Sequence, residues 1–136
     1  QKGIDLLLSA FKEFHESFKE YKLIIAGSGD VKEITKMKQL IRKENLTKSV
    51  VMKGKVAGKT KELLLRKASC LVIPSRFETF SLVALEGMSY GAPIICFAID
   101  GLSWIPKSVA KKVVPFNGWD SDLTEYLDLY NELAGK

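Results

Sequence analysis

Apolar residues at Ile4, Leu7, Leu8, Phe11, Phe14 and Phe18 recur at three- and four-residue steps, which predicts a helix from about Ile4 to Lys19. "KLIIAG" then reads as a buried strand, stopped by Gly27-Ser28-Gly29-Asp30. Ile34, Met37 and Ile41 restore the helical period, and this second helix is expected to end near Asn45, a residue that tolerates the left-handed conformation. "SVVMKG" is strand-like, "KTKELLLRKA" helical and "CLVIP" a further strand. Ser81 to Tyr90 predicts a fourth helix closed by Gly91, and Pro93 introduces the strand "PIICFA". A weak strand, "KKVVPF", precedes a last helix with Leu123, Tyr126, Leu127, Tyr130 and Leu133 on one side.

Strands that are continuously apolar, each separated by an amphipathic helix, imply an α/β fold: a Rossmann-like, doubly wound parallel sheet covered on both faces. Ligands in such sheets bind beyond the carboxyl ends of the strands. The loops there are Gly27 to Asp30, Gly54 to Lys59, Pro74 to Phe80 and Ala98 to Trp104. The chain opens on a helix, so the strand expected ahead of it is absent; on this reading residues 1–136 are one domain from something longer.

At 136 residues with 46% hydrophobic and 10% aromatic content, the chain can bury a real core. No apolar run approaches the roughly 20 residues of a bilayer span, and no signal peptide opens the sequence. The net charge of +5 is spread along the chain, with lysines alternating with glutamates on helical faces. That distribution argues against nucleic acid and favours an anionic small ligand or an anionic membrane surface. Cys70 and Cys96 both fall in apolar strand-like runs and read as two reduced core thiols. His15 follows the core-facing Phe14 and is expected in solvent.

"PSRFETFSLVALEGMSYGAP" sets two carboxylates, Glu78 and Glu86, into an otherwise nearly apolar stretch. If a helix begins at Ser81, the first backbone N–H groups from Phe80 to Val83 lack helical acceptors and carry partial positive charge, a ready cradle for phosphate. Glu78 stands just before that end. Glu86 stands more than one turn inside, where a carboxylate could take both hydroxyls of a ribose.

The spacing Glu78-x7-Glu86 within this segment resembles the E-x7-E signature of retaining GT-B glycosyltransferases of family 4. "KGIDLLLSAF" is similar to the family's Lys-Gly helix opening, "KLIIAGSGD" to its L-x-I-x-G-x-G strand and turn, and "VVMKGKV" to its V-x-F-x-G-x-V segment. The resemblance covers essentially the whole chain, as the family's C-terminal nucleotide-sugar-binding domain. It implies that Glu86 holds the ribose hydroxyls and that Glu78 contacts hydroxyls of the donor sugar. It implies that the amides of Phe80, Ser81 and Leu82 meet the distal phosphate and sugar, and that Lys2 neutralises the diphosphate leaving group. Lys55 and Val56 are implied to line the base, with Gly27 and Gly29 keeping side chains away from it. The implied partners are a UDP-, GDP- or ADP-sugar donor and a second, N-terminal domain carrying the acceptor site, with an acceptor such as a lipid-linked or polysaccharide hydroxyl.

Two departures stand out. Serine replaces the family's usual glycine at position 81, and the family's arginine partner to the lysine would fall upstream of position 1. No cofactor is expected beyond the donor substrate. Asp120-Ser121-Asp122 resembles a metal-binding Asp-x-Asp but reads as the start of the last helix, so no metal is expected. The expected location is the cytoplasm, with the positive charge compatible with the inner face of a membrane. The alternative to an enzyme is a non-catalytic Rossmann-like nucleotide-binding or interaction module; a receiver-type domain lacks the acidic cluster it would need.

Overall fold

The computed structural model describes residues 2–113, and the expected last helix and Asp120-Ser121-Asp122 lie outside them. The helix α1 (Ile4–Ser17) turns Leu7, Leu8, Ala10, Phe11 and Phe14 inward. The strand β1 (Leu23–Ala26) follows, then α2 (Val31–Lys43), whose first turn is capped by the Asp30 carboxylate accepting from the Glu33 amide at 2.8 Å. Asn45 closes that helix in the left-handed region, φ 57°, as its residue type suggested. Then come β2 (Val50–Gly54), α3 (Gly58–Lys67), β3 (Leu71–Ile73), α4 (Leu82–Ser89), β4 (Ile94–Phe97), a short 3-10 turn at Asp100–Leu102, and β5 (Ala110–Val113).

All strand pairs are parallel, yet the ladder is interrupted. β1 pairs with β2, and β3, β4 and β5 form a separate sheet in that order. Among the described residues the strands thus form two sheets, with nothing laddering between β1 and β3. Side chains join them instead: Leu23 and Val50 pack with Ile95 and Phe97 beneath the apolar face of α1. A second cluster gathers Ile73, Ala84, Ile94, Cys96, Leu102 and Ile105.

The expectation of two covered faces holds for β4, whose four residues are all buried. It fails for β1 and β2, where the paired Ile24 and Val51 are exposed. α4 turns its larger apolar side chains outward. Leu82, Val83 and Leu85 are exposed, and the helix packs through Ala84 and Gly87. A Cβ on Gly87 would come within 2.5 Å of Leu71 Cδ2, so the missing side chain is what lets the helix lie close to β3.

His15, expected in solvent, is half-buried: its Nε2 lies 2.7 Å from the Ser49 hydroxyl and its ring stacks on Phe11. Cys70 and Cys96 are both free thiols, and burial pushes the Cys70 thiol up to about 11. Such a thiol is unreactive at neutral pH.

Candidate functional site

The site is assembled where α1 meets the end of β3. Gly3 adopts φ 69° and presses on Pro74; a Cβ there would sit 1.8 Å from the Pro74 carbonyl oxygen. Only glycine accepts both the positive φ and the close approach. This contact brings Lys2 beside the β3–α4 loop, where its Nζ donates to Glu78 Oε1 at 2.8 Å. The buried Ser75 donates to the same oxygen at 2.9 Å. A second strut lies alongside: Arg76 grips Asp5 through two bonds, at 3.1 and 2.9 Å, tying the loop to the first turn of α1. Two-point guanidinium–carboxylate pairs fix orientation as well as distance.

Glu78 keeps only 14% of its side chain exposed. That partial burial pushes its carboxyl up, but the hydrogen bonds from Lys2 and Ser75 and the Lys2 charge outweigh it, leaving the pKa below the ordinary carboxylate value. Glu78 is thus an ionised, oriented acceptor at neutral pH. The backbone on its other side is equally constrained. A Cβ at Gly101 would fall 1.7 Å from the Glu78 carbonyl oxygen, so the β4–β5 connection rests directly on this residue. Between the two loops lies a cleft of about 330 Å³ lined by Arg76, Phe77, Glu78, Ile99, Asp100 and Gly101. The Phe80 ring stacks on Trp104 at 4.5 Å beside it.

Ser81 is buried and its hydroxyl accepts from the Ala84 amide at 3.3 Å, so it is the N-cap of α4. Its hydroxyl is thereby turned onto the first turn of the helix that follows. With Ser81 as the cap, Leu82 and Val83 keep first-turn amides that have no acceptor within the helix. Glu86 is found elsewhere on α4. Its side chain is 38% exposed, it does not line the Glu78 cleft, and its Oε1 accepts from Lys61 of α3 at 2.5 Å.

Gly27, Gly29, Lys55 and Val56 lie in the loops that follow β1 and β2. The Gly27 amide donates to the Gly54 carbonyl at 2.8 Å, holding the end of β1 against the end of β2 just before Lys55 and Val56. Gly54 takes φ 67°. Gly29 is not part of this contact: a Cβ there would come 3.2 Å from the Glu33 carboxylate of α2. Lys2 and Glu78 are therefore brought together across 76 positions, and Gly27 with the segment before Lys55, whereas Glu86 keeps a separate partner. Sequence reasoning missed Asp5, Ser75, Arg76 and Gly101. Their signal lay inside the quoted motifs, in "KGID" and "PSRFE", but their pairing is visible only in three dimensions.

The profile of the family described as glycosyl transferases group 1 matches residues 1–130. An uncharacterized glycosyltransferase of Methanocaldococcus jannaschii is 38% identical over 107 residues, 79% of this chain and 27% of that protein. The mannosylfructose-phosphate synthase of Agrobacterium fabrum is 33% identical over 107 residues, 74% of this chain and 24% of that protein. The chain thus spans about a quarter of the length of the curated relatives it matches. Among solved structures, a TarM variant of S. aureus in complex with fondaparinux, alpha-GlcNAc-glycerol and UDP superposes with TM-score 0.83 at 25% identity, covering 99% of this chain and 26% of that one. The sucrose-phosphate synthase of Thermosynechococcus elongatus gives TM-score 0.84 at 25% identity, over 100% of this chain and 34% of that one. Profile, relatives and fold agree: the chain belongs to the glycosyl transferases group 1 family, and its α/β fold is one half of the GT-B architecture.

Proposed function

We propose that residues 1–136 are the donor-binding domain of a retaining glycosyltransferase that moves a sugar from a nucleoside diphosphate to an acceptor such as a lipid-linked or polysaccharide hydroxyl. The observation that carries this reading is the Lys2–Glu78 pair, set at the carboxyl end of β3 beside the start of α4. A cation, an ionised hydrogen-bond acceptor and free helix-start amides within one region suit a diphosphate and its sugar. As the sugar departs, negative charge gathers on the diphosphate, and a nearby ammonium stabilises that state more than the ground state.

In this reading Lys2 and the amides of Phe80, Ser81 and Leu82 meet the phosphates, and Glu78 accepts from sugar hydroxyls in the cleft beside it. Glu86 takes the ribose diol. Lys55 and Val56 line the base beyond the Gly27–Gly54 contact, and Gly29 leaves the approach open. The acceptor is held by a second, N-terminal domain. The reaction takes place in the cytoplasm, where the chain's positive charge suits the inner membrane face; among the described residues no helix is long and apolar enough to cross a membrane.

The test is calorimetric titration with UDP, GDP and ADP, with folding confirmed by circular dichroism. One of the three is expected to bind in the micromolar range, and Lys2→Met to weaken it about tenfold. A folded chain that binds none of them below the millimolar range sinks the proposal. A second reading, a nucleotide-binding or interaction module without transfer, draws on the exposed Leu82, Val83 and Leu85 of α4. Unchanged nucleotide affinity in Glu86→Gln would favour it.

A further inference from the structure

We infer that Lys61 is a positioning residue for Glu86, holding that carboxylate ready for a ribose diol; this rests on the reading of Glu86 given above. Lys61 belongs to α3, five positions beyond Val56, and Glu86 to α4, so the pair bridges the helix that follows the base loop and the helix that carries the carboxylate. Its 2.5 Å contact uses Oε1 of Glu86. Among the described residues, Oε2 has no hydrogen-bond partner.

The consequence is geometric. A glutamate on a helix surface has three side-chain torsions, and ordering them on binding weakens affinity. A carboxylate already fixed at one oxygen presents the other, and the remaining lone pair of the first, in a defined direction. A plain surface ion pair at this exposure would contribute little to stability and nothing to ligand choice. The two roles therefore separate by their effect on ribose discrimination.

The experiment compares the nucleoside diphosphate that the chain holds most tightly, of UDP, GDP and ADP, with its 2′-deoxy counterpart. Binding of both is measured to the unmodified chain, Lys61→Met, Lys61→Gln and Lys61→Arg. The unmodified chain is expected to prefer the ribose form about tenfold or more. Lys61→Met and Lys61→Gln should each cut that preference to about threefold or less, and Lys61→Arg should restore most of it. A general loss of folded protein lowers both affinities together and leaves their ratio intact, so the ratio is its own control. An unchanged ratio in Lys61→Met and Lys61→Gln overturns the inference while leaving the proposed function standing. An unmodified chain that binds the nucleotides without preferring ribose overturns it together with the diol role of Glu86. Failure of the unmodified chain to bind any of the three nucleotides overturns the proposed function itself.

Discussion

Glu78 shows how one side chain collects its surroundings. Burial alone would make it a weaker acid, but Lys2 and Ser75 hold it ionised. Asp5 has the same balance: burial raises its carboxyl, the Arg76 bonds and charge lower it, and the lowering prevails. A carboxyl depressed in the folded state contributes stability that is fully present above its unfolded pKa and lost as pH falls through the folded one. Acidification below about pH 4, the ordinary carboxylate range, should therefore erode stability. The urea midpoint is expected to hold between pH 7 and 5 and to drop by pH 3, with a shallower drop in Glu78→Gln. Parallel pH profiles for the two proteins would show that Glu78 is not held below its ordinary range. The sequence singled out Lys2 and Glu78 but not what makes them a unit. Partners 71 and 76 positions apart leave no periodic trace, and Arg76 and Asp5 look like ordinary charged surface residues until the loop closes on the helix.

At the scale of elements, local chemistry was the more legible part. The left-handed Asn45 and the stop at Gly91, φ 75°, act within a few residues of where they stand, so residue type alone exposes them. The orientation of α4 was not legible. Leu82, Val83 and Leu85 look like a buried face, yet the helix is seated by what Gly87 lacks, and an absent side chain carries no apolar signal. The loops answer to similar logic. Gly101→Ala forces a methyl onto the Glu78 carbonyl oxygen, so the two loops must part. The expected loss is about 2 kcal/mol in urea unfolding, in the range of overpacked sites. Ser81→Ala removes only the cap and should lose about 1 kcal/mol. A Gly101→Ala protein as stable as the parent would show that the loop yields freely.

For the whole molecule, the interrupted ladder matters most. Among the described residues, β4 is hydrogen-bonded on both sides and fully buried, whereas β1 and β3 each pair on one side only. In deuterium exchange, the amides of Ile94 to Phe97 are expected to be the slowest of any strand and those of Leu23 to Ala26 clearly faster. Equal protection would mean that something covers the open edges. The run of strands and helices was readable from hydrophobic spacing, but which strands lie side by side was not, because pairing leaves no periodic trace.

That seam runs between two segments of the proposed donor site. Val56 follows one sheet and Glu78 the other, and the distance between them is set by packed side chains rather than by a shared row of hydrogen bonds. A nucleotide reaching from the first to the second would act as a crossbeam, and the halves it spans would exchange more slowly together than either does alone.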